Sequence, residues 1–160
     1  MKTLIKTFGL VVAALALTAK ASANEAETNR AAIAKAMDAW AAGTGGPYDL
    51  LAHDAVWTIS GNSLASKTYH SKEAFMAEVI RPFNARLSAR LIPSVHKIYA
   101  DGDVVVAHFD AQGTARDGQR YTNSYAWILT LKDGRIVRAF AFFDAKAFDD
   151  FWTRVAPVSE

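Results

Sequence analysis

Apolar residues in the first part of the chain recur at helical spacing. Ile33, Met37 and Trp40 lie on one face of a segment that begins near Glu25, which predicts an amphipathic helix. The stretch GTGGP at residues 43–47 ends this helix, because glycine and proline both disfavour helical continuation. We therefore expect the folded part of the chain to begin with one amphipathic helix.

A short strand and a second helix are predicted next. Residues 47–54 suit one helical turn, and residues 55–60, AVWTIS, alternate as a strand does. After a polar loop, Ser71 can cap a helix that ends before Pro82, since the residue that precedes a proline disfavours helical backbone.

From residue 86 onward the pattern is that of successive strands. The turn sequences ADGD, ARDGQR and KDGR separate alternating segments, and a short helix with the sequence AKAFDDFWTRV follows them. Asp144 is positioned to cap this last helix, and Pro93 places the first strand at a sheet edge or a bulge. Helices followed by antiparallel strands predict one α+β domain. The strand segments cover residues 86–99, 104–113, 121–131 and 136–144.

One of these strands, VVVAHFDAQG, carries polar residues at the end of one face. Val104, Val106, His108 and Asp110 share that face, while the opposite face is purely apolar. The polar end of the strand either emerges into solvent or lines a cavity. The last strand would expose an apolar patch on its outer face, which favours a dimer interface. This face carries Arg138, Phe140 and Phe142.

The N-terminal residues have the three parts of a secretory signal. Lysines precede an apolar run at residues 8–17, and Ala-Ser-Ala at residues 21–23 matches an A-x-A cleavage site. The apolar run is shorter than the roughly 20 residues that span a bilayer. We expect residues 1–23 to be removed, leaving a periplasmic or secreted domain of residues 24–160 that is free of the membrane.

Charge and composition exclude several classes of function. The sequence has 18 Lys and Arg residues and 16 Asp and Glu residues, which gives a formal net charge of +2. Removal of the signal takes away three lysines, so the formal net charge becomes −1. No basic block remains to bind nucleic acid. The chain has no cysteine, so a thiol nucleophile is excluded. Without an H-E-x-x-H motif or a glycine-rich phosphate loop, the sequence predicts neither a metal nor a cofactor.

The order of elements, with the segments YHSKEAF, NSYAW, KDGRI and FFD, resembles the nuclear transport factor 2-like superfamily, in its SnoaL-like and ketosteroid-isomerase-like branch. The resemblance implies a cone, in which a curved antiparallel sheet wraps around the N-terminal helices and encloses one internal pocket. It also implies a homodimer formed through the outer face of the sheet. On this basis the face that carries His108 and Asp110 is expected to line the pocket.

The resemblance also suggests catalytic residues. In limonene-epoxide-hydrolase-like members, an Arg-x-Asp on this strand and an Asp on the last strand act on an epoxide. Their positions here fall at His108 to Asp110 and at Ala141, so the second acid is missing. Cyclase relatives need chiefly one acid/base group, which Asp110 with His108 as its partner could supply. The alternative is that both residues only stabilise the strand through hydrogen bonds.

Aromatic and amide side chains on neighbouring strands are candidate ligand contacts. Asn123, Tyr125 and Trp127 share one face of their strand, and Trp57 lies on the first strand. Tyrosine and tryptophan combine a large apolar surface with one polar atom, which suits an organic ligand, although ordinary core packing would also use them. His70 is a candidate for the pocket mouth.

Two functions remain open at this stage. One is an exported enzyme of the isomerase, cyclase or hydrolase type that acts on a small hydrophobic molecule through Asp110 and His108. The other is a non-catalytic module that holds such a molecule or serves as a dimeric interaction domain. Fold does not decide between them.

Overall fold

The protein is described by a computed structural model of residues 2–158, with side chains from Ser22 onward. Helix α1 (Lys2–Ala42) is the first element. The predicted signal and its removal concern residues 1–23, and the side chains of residues 1–21 lie outside the described part, so this expectation stays a prediction. Among the helices of the described residues, none is long and apolar enough to cross a membrane.

Helix α1 ends at the predicted glycine-rich stretch, and a distant side chain covers its last carbonyls. Gly43 adopts a positive φ of 75°, and the backbone N–H of Thr44 donates to the carbonyl of Ala39 at 2.9 Å. The guanidinium of Arg90 donates to two carbonyls of the last turn at 2.7 and 2.8 Å. A cation at this end also complements the negative pole of the helix.

The second helical segment continues past the proline that was expected to end it. It consists of α2 (Lys72–Phe75), a π-helical turn (Met76–Ile80) and α3 (Arg81–Asn84). As predicted, the Ser71 side chain caps it and accepts from a backbone N–H at 3.0 Å. The prediction that it ends before Pro82 was wrong. A π-helical turn is wider than an α-helical one, which relieves the clash between a proline ring and the preceding turn.

Six strands form one curved sheet in the order β2-β1-β6-β5-β4-β3. All neighbours pair antiparallel except β1 and β6, which run parallel. Strand β3, which contains Pro93, is an edge strand as predicted, and its pairing with β4 has three register shifts. Such irregularities bend a sheet. The strands are β1 (Leu51–Ile59), β2 (Thr68–Tyr69), β3 (Leu87–Asp101), β4 (Val104–Ala115), β5 (Arg120–Lys132) and β6 (Arg135–Phe143).

The sheet buries its concave face against the helices. On α1 the apolar side chains of Ile33 and Met37 are buried in the core. Helix α4 (Ala145–Arg154) closes the other end with the buried rings of Phe148 and Phe151. The predicted cap is confirmed, since the Asp144 side chain accepts from a backbone N–H at 3.1 Å.

Candidate functional site

A cavity of about 310 Å³ lies between the concave face of the sheet and the helices. Its lining is mostly apolar, and the exposed members Gly45, Asp49 and Asn84 mark its opening. The deeper wall is formed by Trp40, Tyr48, Trp57, Ile59, Phe75, Met76, Val79, Ile80, Phe83, Leu91, Tyr125, Trp127, Ala141, Phe143 and Phe148.

Aromatic rings in contact with one another form much of this wall. Trp57 stacks on Phe75 with ring centroids 4.4 Å apart and meets Trp127 edge-on at 5.1 Å. The ring of Tyr48 lies 5.7 to 6.0 Å from those of Trp40, Trp57, Phe75 and Trp127. Such pairs each add about 0.5–1.5 kcal/mol beyond area burial. The wall is therefore stiff and apolar, as a site for an organic molecule requires.

The indole N–H of Trp57 has no hydrogen-bond partner in the described part of the chain. The residue is only 2% exposed. A buried donor left without a partner costs about 1–3 kcal/mol. Most buried polar groups are paired in native proteins, so this donor requires an explanation.

A chain of hydrogen bonds leads from the end of β6 to the cavity wall. The Asn123 amide accepts from the backbone N–H of Asp144 at 2.9 Å and donates to its carbonyl at 3.0 Å. The same amide donates to the Tyr121 hydroxyl at 3.0 Å, which lies 3.0 Å from the Tyr125 hydroxyl. Burial raises the pKa of Tyr125 well above its usual value and also raises that of Tyr121. Both phenols therefore remain protonated at neutral pH.

Two further polar residues border the cavity. Burial raises the pKa of the Tyr48 hydroxyl above its usual range, and this hydroxyl makes no hydrogen bond to other described residues. At the opening, the Asp49 carboxylate accepts from the backbone N–H of Gly46 at 2.8 Å, which holds the loop before β1. Asp49 is the one carboxylate in the described lining, which includes no histidine.

The predicted ligand contacts divide into two groups. Trp57, Tyr125 and Trp127 border the cavity. Asn123 is buried but reaches the wall only through the tyrosines, and His70 is exposed on a loop outside the described lining. Their role as ligand contacts stays a prediction.

The expectation that His108 and Asp110 line the pocket was wrong. Both lie on the outer face of the sheet, where His108 is exposed and the Asp110 side chain is 51% exposed. The inner face of β4 is the purely apolar one, with Phe109 and its alternate neighbours buried. Helices cover the concave face, so the face without polar groups is the one that turns inward.

On the outer face Asp110 joins residues from the two neighbouring strands. Its carboxylate accepts from the Ser124 hydroxyl at 2.7 Å and lies 2.9 Å from Nε2 of His96. The His96 ring is 4.9 Å from that of His108. The hydrogen bond from Ser124, and then the one from His96, lowers the pKa of Asp110. The sheet itself separates His108 and Asp110 from the cavity.

Sequence reasoning missed two polar residues of the site. Tyr121 shares the face of Asn123 and Tyr125 at a spacing of two, so alternation along β5 contained the information needed to find it. Tyr48 lies in a one-turn 3₁₀ helix (Pro47–Leu50), where no periodic pattern shows which side chain turns inward.

Comparisons with known proteins agree on one family and fold. Residues 25–139 match the family model described as SnoaL-like domain. The structure of Bal32a, from a soil-derived mobile gene cassette, is similar with 22% identity and a TM-score of 0.66, covering 80% of this chain and 98% of that one. A putative SnoaL-like polyketide cyclase from Jannaschia sp. CCS1 has 18% identity and a TM-score of 0.64, covering 81% and 94%.

An epoxide hydrolase also has this fold. The enzyme, described as LEH-like and from M. tuberculosis, has 17% identity and a TM-score of 0.54, covering 81% of this chain and 92% of its own. The search of curated proteins found no match. At these identities the solved structures establish a shared fold alone.

Proposed function

The chain belongs to the SnoaL-like domain family, and from that membership we propose that it binds a small hydrophobic molecule in the cavity between its sheet and its helices. The superfamily and the α+β cone predicted from the sequence are confirmed. Members of one fold differ in ligand and chemistry, so the proposal rests on the cavity of this chain.

The observation that carries the proposal is the open aromatic cavity. Its volume of about 310 Å³ lies at the lower end of the roughly 300–1,000 Å³ typical of ligand pockets. Protein interiors are normally close-packed, and an open space deprives its lining of contacts. A ligand that fills it would restore those contacts, which supports binding as the role of the space.

Binding is favoured over acid/base catalysis by the groups in the described wall. General acid/base catalysis needs a group whose pKa lies near the working pH. The pKa values of Tyr48 and Tyr125 are raised by burial, away from neutrality. Asp49, the carboxylate at the opening, is occupied by a loop hydrogen bond. These features support the non-catalytic alternative of the two functions left open by the sequence.

The binding test is a cavity-filling variant. Ala141 lines the cavity and is 2% exposed, so Ala141→Phe places a ring in the ligand space. We expect uncharged aromatic compounds to raise the Tm of the unmodified protein, because a ligand that binds only the folded state stabilises it. The rise should be lost in Ala141→Phe and kept in the control Ala89→Phe, at an exposed position of β3. An equal rise in Ala141→Phe would contradict the proposal.

We also propose that the protein acts outside the cytoplasm, in the periplasm or after secretion. The lysines, the apolar run and the Ala-Ser-Ala site within residues 1–23 support this. N-terminal sequencing of protein from the cell envelope should give Asn24 as the first residue. A chain that begins at Met1 in the cytoplasmic fraction would exclude export.

A further inference from the structure

The outer face of the sheet carries two histidines beside an exposed apolar surface. We propose that two copies of the chain associate through this face and that the pair of His96 and His108 separates them as the pH falls. The sheet lies between this surface and the cavity, so the proposal goes beyond ligand binding and does not depend on it.

An apolar row crosses four strands on this face. Residues paired directly across neighbouring strands share one face of a sheet, and these pairings run from Tyr99 through Val106 and Ile128 to Phe140. Tyr99 is 58% exposed and Phe140 is 38% exposed, so both ends of the row are in contact with water. Pairing with a second copy removes these rings from water, which is favourable.

A neighbouring row on the same face contains a notch. It runs from Phe142 through Ala126 to His108, so a methyl group lies between two rings. Neighbouring strands are about 4.8 Å apart, which separates the backbones that carry the two rings by roughly 10 Å. The Phe142 side chain of a second copy can enter this notch. In a two-fold dimer the same contact is made twice, which favours a second copy as the occupant of this face.

The area of the face is of the size that a stable pair requires. Strands β3 to β6 lie side by side, and the shortest of them, β6, has 9 residues. Four strands of that length, about 4.8 Å apart and about 3.3 Å per residue, cover roughly 550–600 Å² before the relief of the side chains is counted. A standard interface buries about 800 Å² per partner. Two sheets with the same twist also pack well face to face.

Two imidazoles share one carboxylate at the edge of the notch. The Asp110 carboxylate lies 2.9 Å from Nε2 of His96, and the His96 ring lies 4.9 Å from the His108 ring. The other oxygen of Asp110 accepts from the Ser124 hydroxyl at 2.7 Å. One carboxylate can balance only one imidazolium, and the described contacts of the two rings include no second carboxylate.

The remaining charged group beside the pair is a cation. Lys97 on β3 pairs with His108 on β4 and therefore faces the same side of the sheet. From the other direction β5 contributes the uncharged side chains of Ser124 and Ala126, and β6 contributes Phe142. Protonation of both imidazoles therefore leaves a surplus positive charge that no described neighbour balances.

Association and protonation oppose each other on this surface. Histidine changes its charge between pH 5 and 8, and a buried charge without a counter-ion is strongly unfavourable. In the dimer His108 lies against the Phe142 ring of the second copy, so the paired state favours the neutral imidazole. By linkage, each proton that the interface excludes weakens pairing as the pH falls.

Sedimentation velocity at two pH values measures this coupling. We expect the full-length protein to be a dimer at pH 8 and its dissociation constant to rise about ten- to hundredfold at pH 5.5. The factor is about ten for each copy whose proton is bound tenfold less tightly in the dimer. Near-UV circular dichroism at both pH values monitors the fold. Ala126→Arg, which fills the notch with a charged side chain, should be monomeric at pH 8.

Substitutions at exposed positions isolate the titrating groups. In the double variant His96→Gln and His108→Gln, the dissociation constants at pH 5.5 and pH 8 should agree within about twofold, since an amide does not take up a proton. The matched control, His53→Gln with His70→Gln, removes the other two histidines of the chain, both exposed, and should keep the full response. Asp110→Asn should enlarge the response, because the carboxylate that balances one imidazolium is gone.

Several outcomes would overturn the proposal. They are an equal or smaller dissociation constant at pH 5.5, the same rise without the histidine pair, a flat response in the control, and a dimer that survives in Ala126→Arg. A protein that is monomeric at both pH values would also overturn it. So would loss of the near-UV signal at pH 5.5, because unfolding would then separate the copies. Cavity binding is tested separately, by the rise in Tm with aromatic compounds.

Discussion

At the scale of single residues, the chemistry of the cavity is set by what each polar atom can donate. The Tyr48 and Tyr125 hydroxyls keep their protons at neutral pH because burial disfavours the phenolate. The Trp57 indole cannot accept a hydrogen bond at all. Neither tyrosine is therefore available as a base at neutral pH.

Asp110 provides a prediction at the same scale. Ser124 and His96 lower its pKa, so the folded state favours the ionised carboxylate. That contribution to stability is present above the unfolded pKa, near 3.8, and is lost as the pH falls through the lower folded value. We expect Asp110→Asn to be slightly less stable than the unmodified protein at pH 7. Denaturant midpoints should converge as the pH falls below 3.8.

The same substitution should leave ligand binding unchanged, because Asp110 lies on the other side of the sheet from the cavity. Titrations of an uncharged aromatic compound against both proteins at pH 7 measure this. A marked loss of affinity in Asp110→Asn, with the fold intact, would restore the role that the sequence analysis gave to this carboxylate.

At the scale of elements, local signals predicted strands β3 to β6 and the helix caps. Strand β1 begins inside the predicted helical turn, and β2 lies in the predicted polar loop. Turn residues separated the strands, and both Ser71 and Asp144 cap the helices that they precede. These features depend on neighbours along the chain, which a sequence displays directly. The helix across Pro82 was not predictable in this way, because the π-helical turn that accommodates the proline has no recognised residue pattern.

It was harder to predict which face of a strand points toward the cavity. Alternation correctly divided β4 into the set of His108 and Asp110 and the set of Phe109. It does not state which set meets the helices, and the resemblance suggested the wrong one. On β5 the aromatic set with Trp127 was large enough to identify the buried side. Tyr48 lay beyond prediction because a single turn has no period.

At the scale of the whole molecule, the outer face of the sheet is the expected site of self-association. Phe140 and Phe142 are 38% and 45% exposed on β6. We propose that two copies pair through this face, which removes both rings from water. Sedimentation at micromolar concentration should show a dimer, and the double change of Phe140 and Phe142 to Lys should give a monomer.

A matched control keeps this prediction specific. Leu64 is 63% exposed on the loop before β2, so Leu64→Lys adds a charge at another apolar surface position. It should leave the dimer intact. A monomeric unmodified protein, or equal loss of dimer in the control, would contradict pairing through β6.

The parallel pairing of β1 with β6 also determines when the molecule can fold. Trp57 pairs with Ala139, so the first long strand finds its neighbour only near the end of the chain. Contacts between residues so far apart in sequence form slowly, since a long loop must close first. A ribosome has released nearly the whole polypeptide before the cone can close. For a chain proposed to cross a membrane, the strand that closes the sheet is therefore still missing during most of the synthesis.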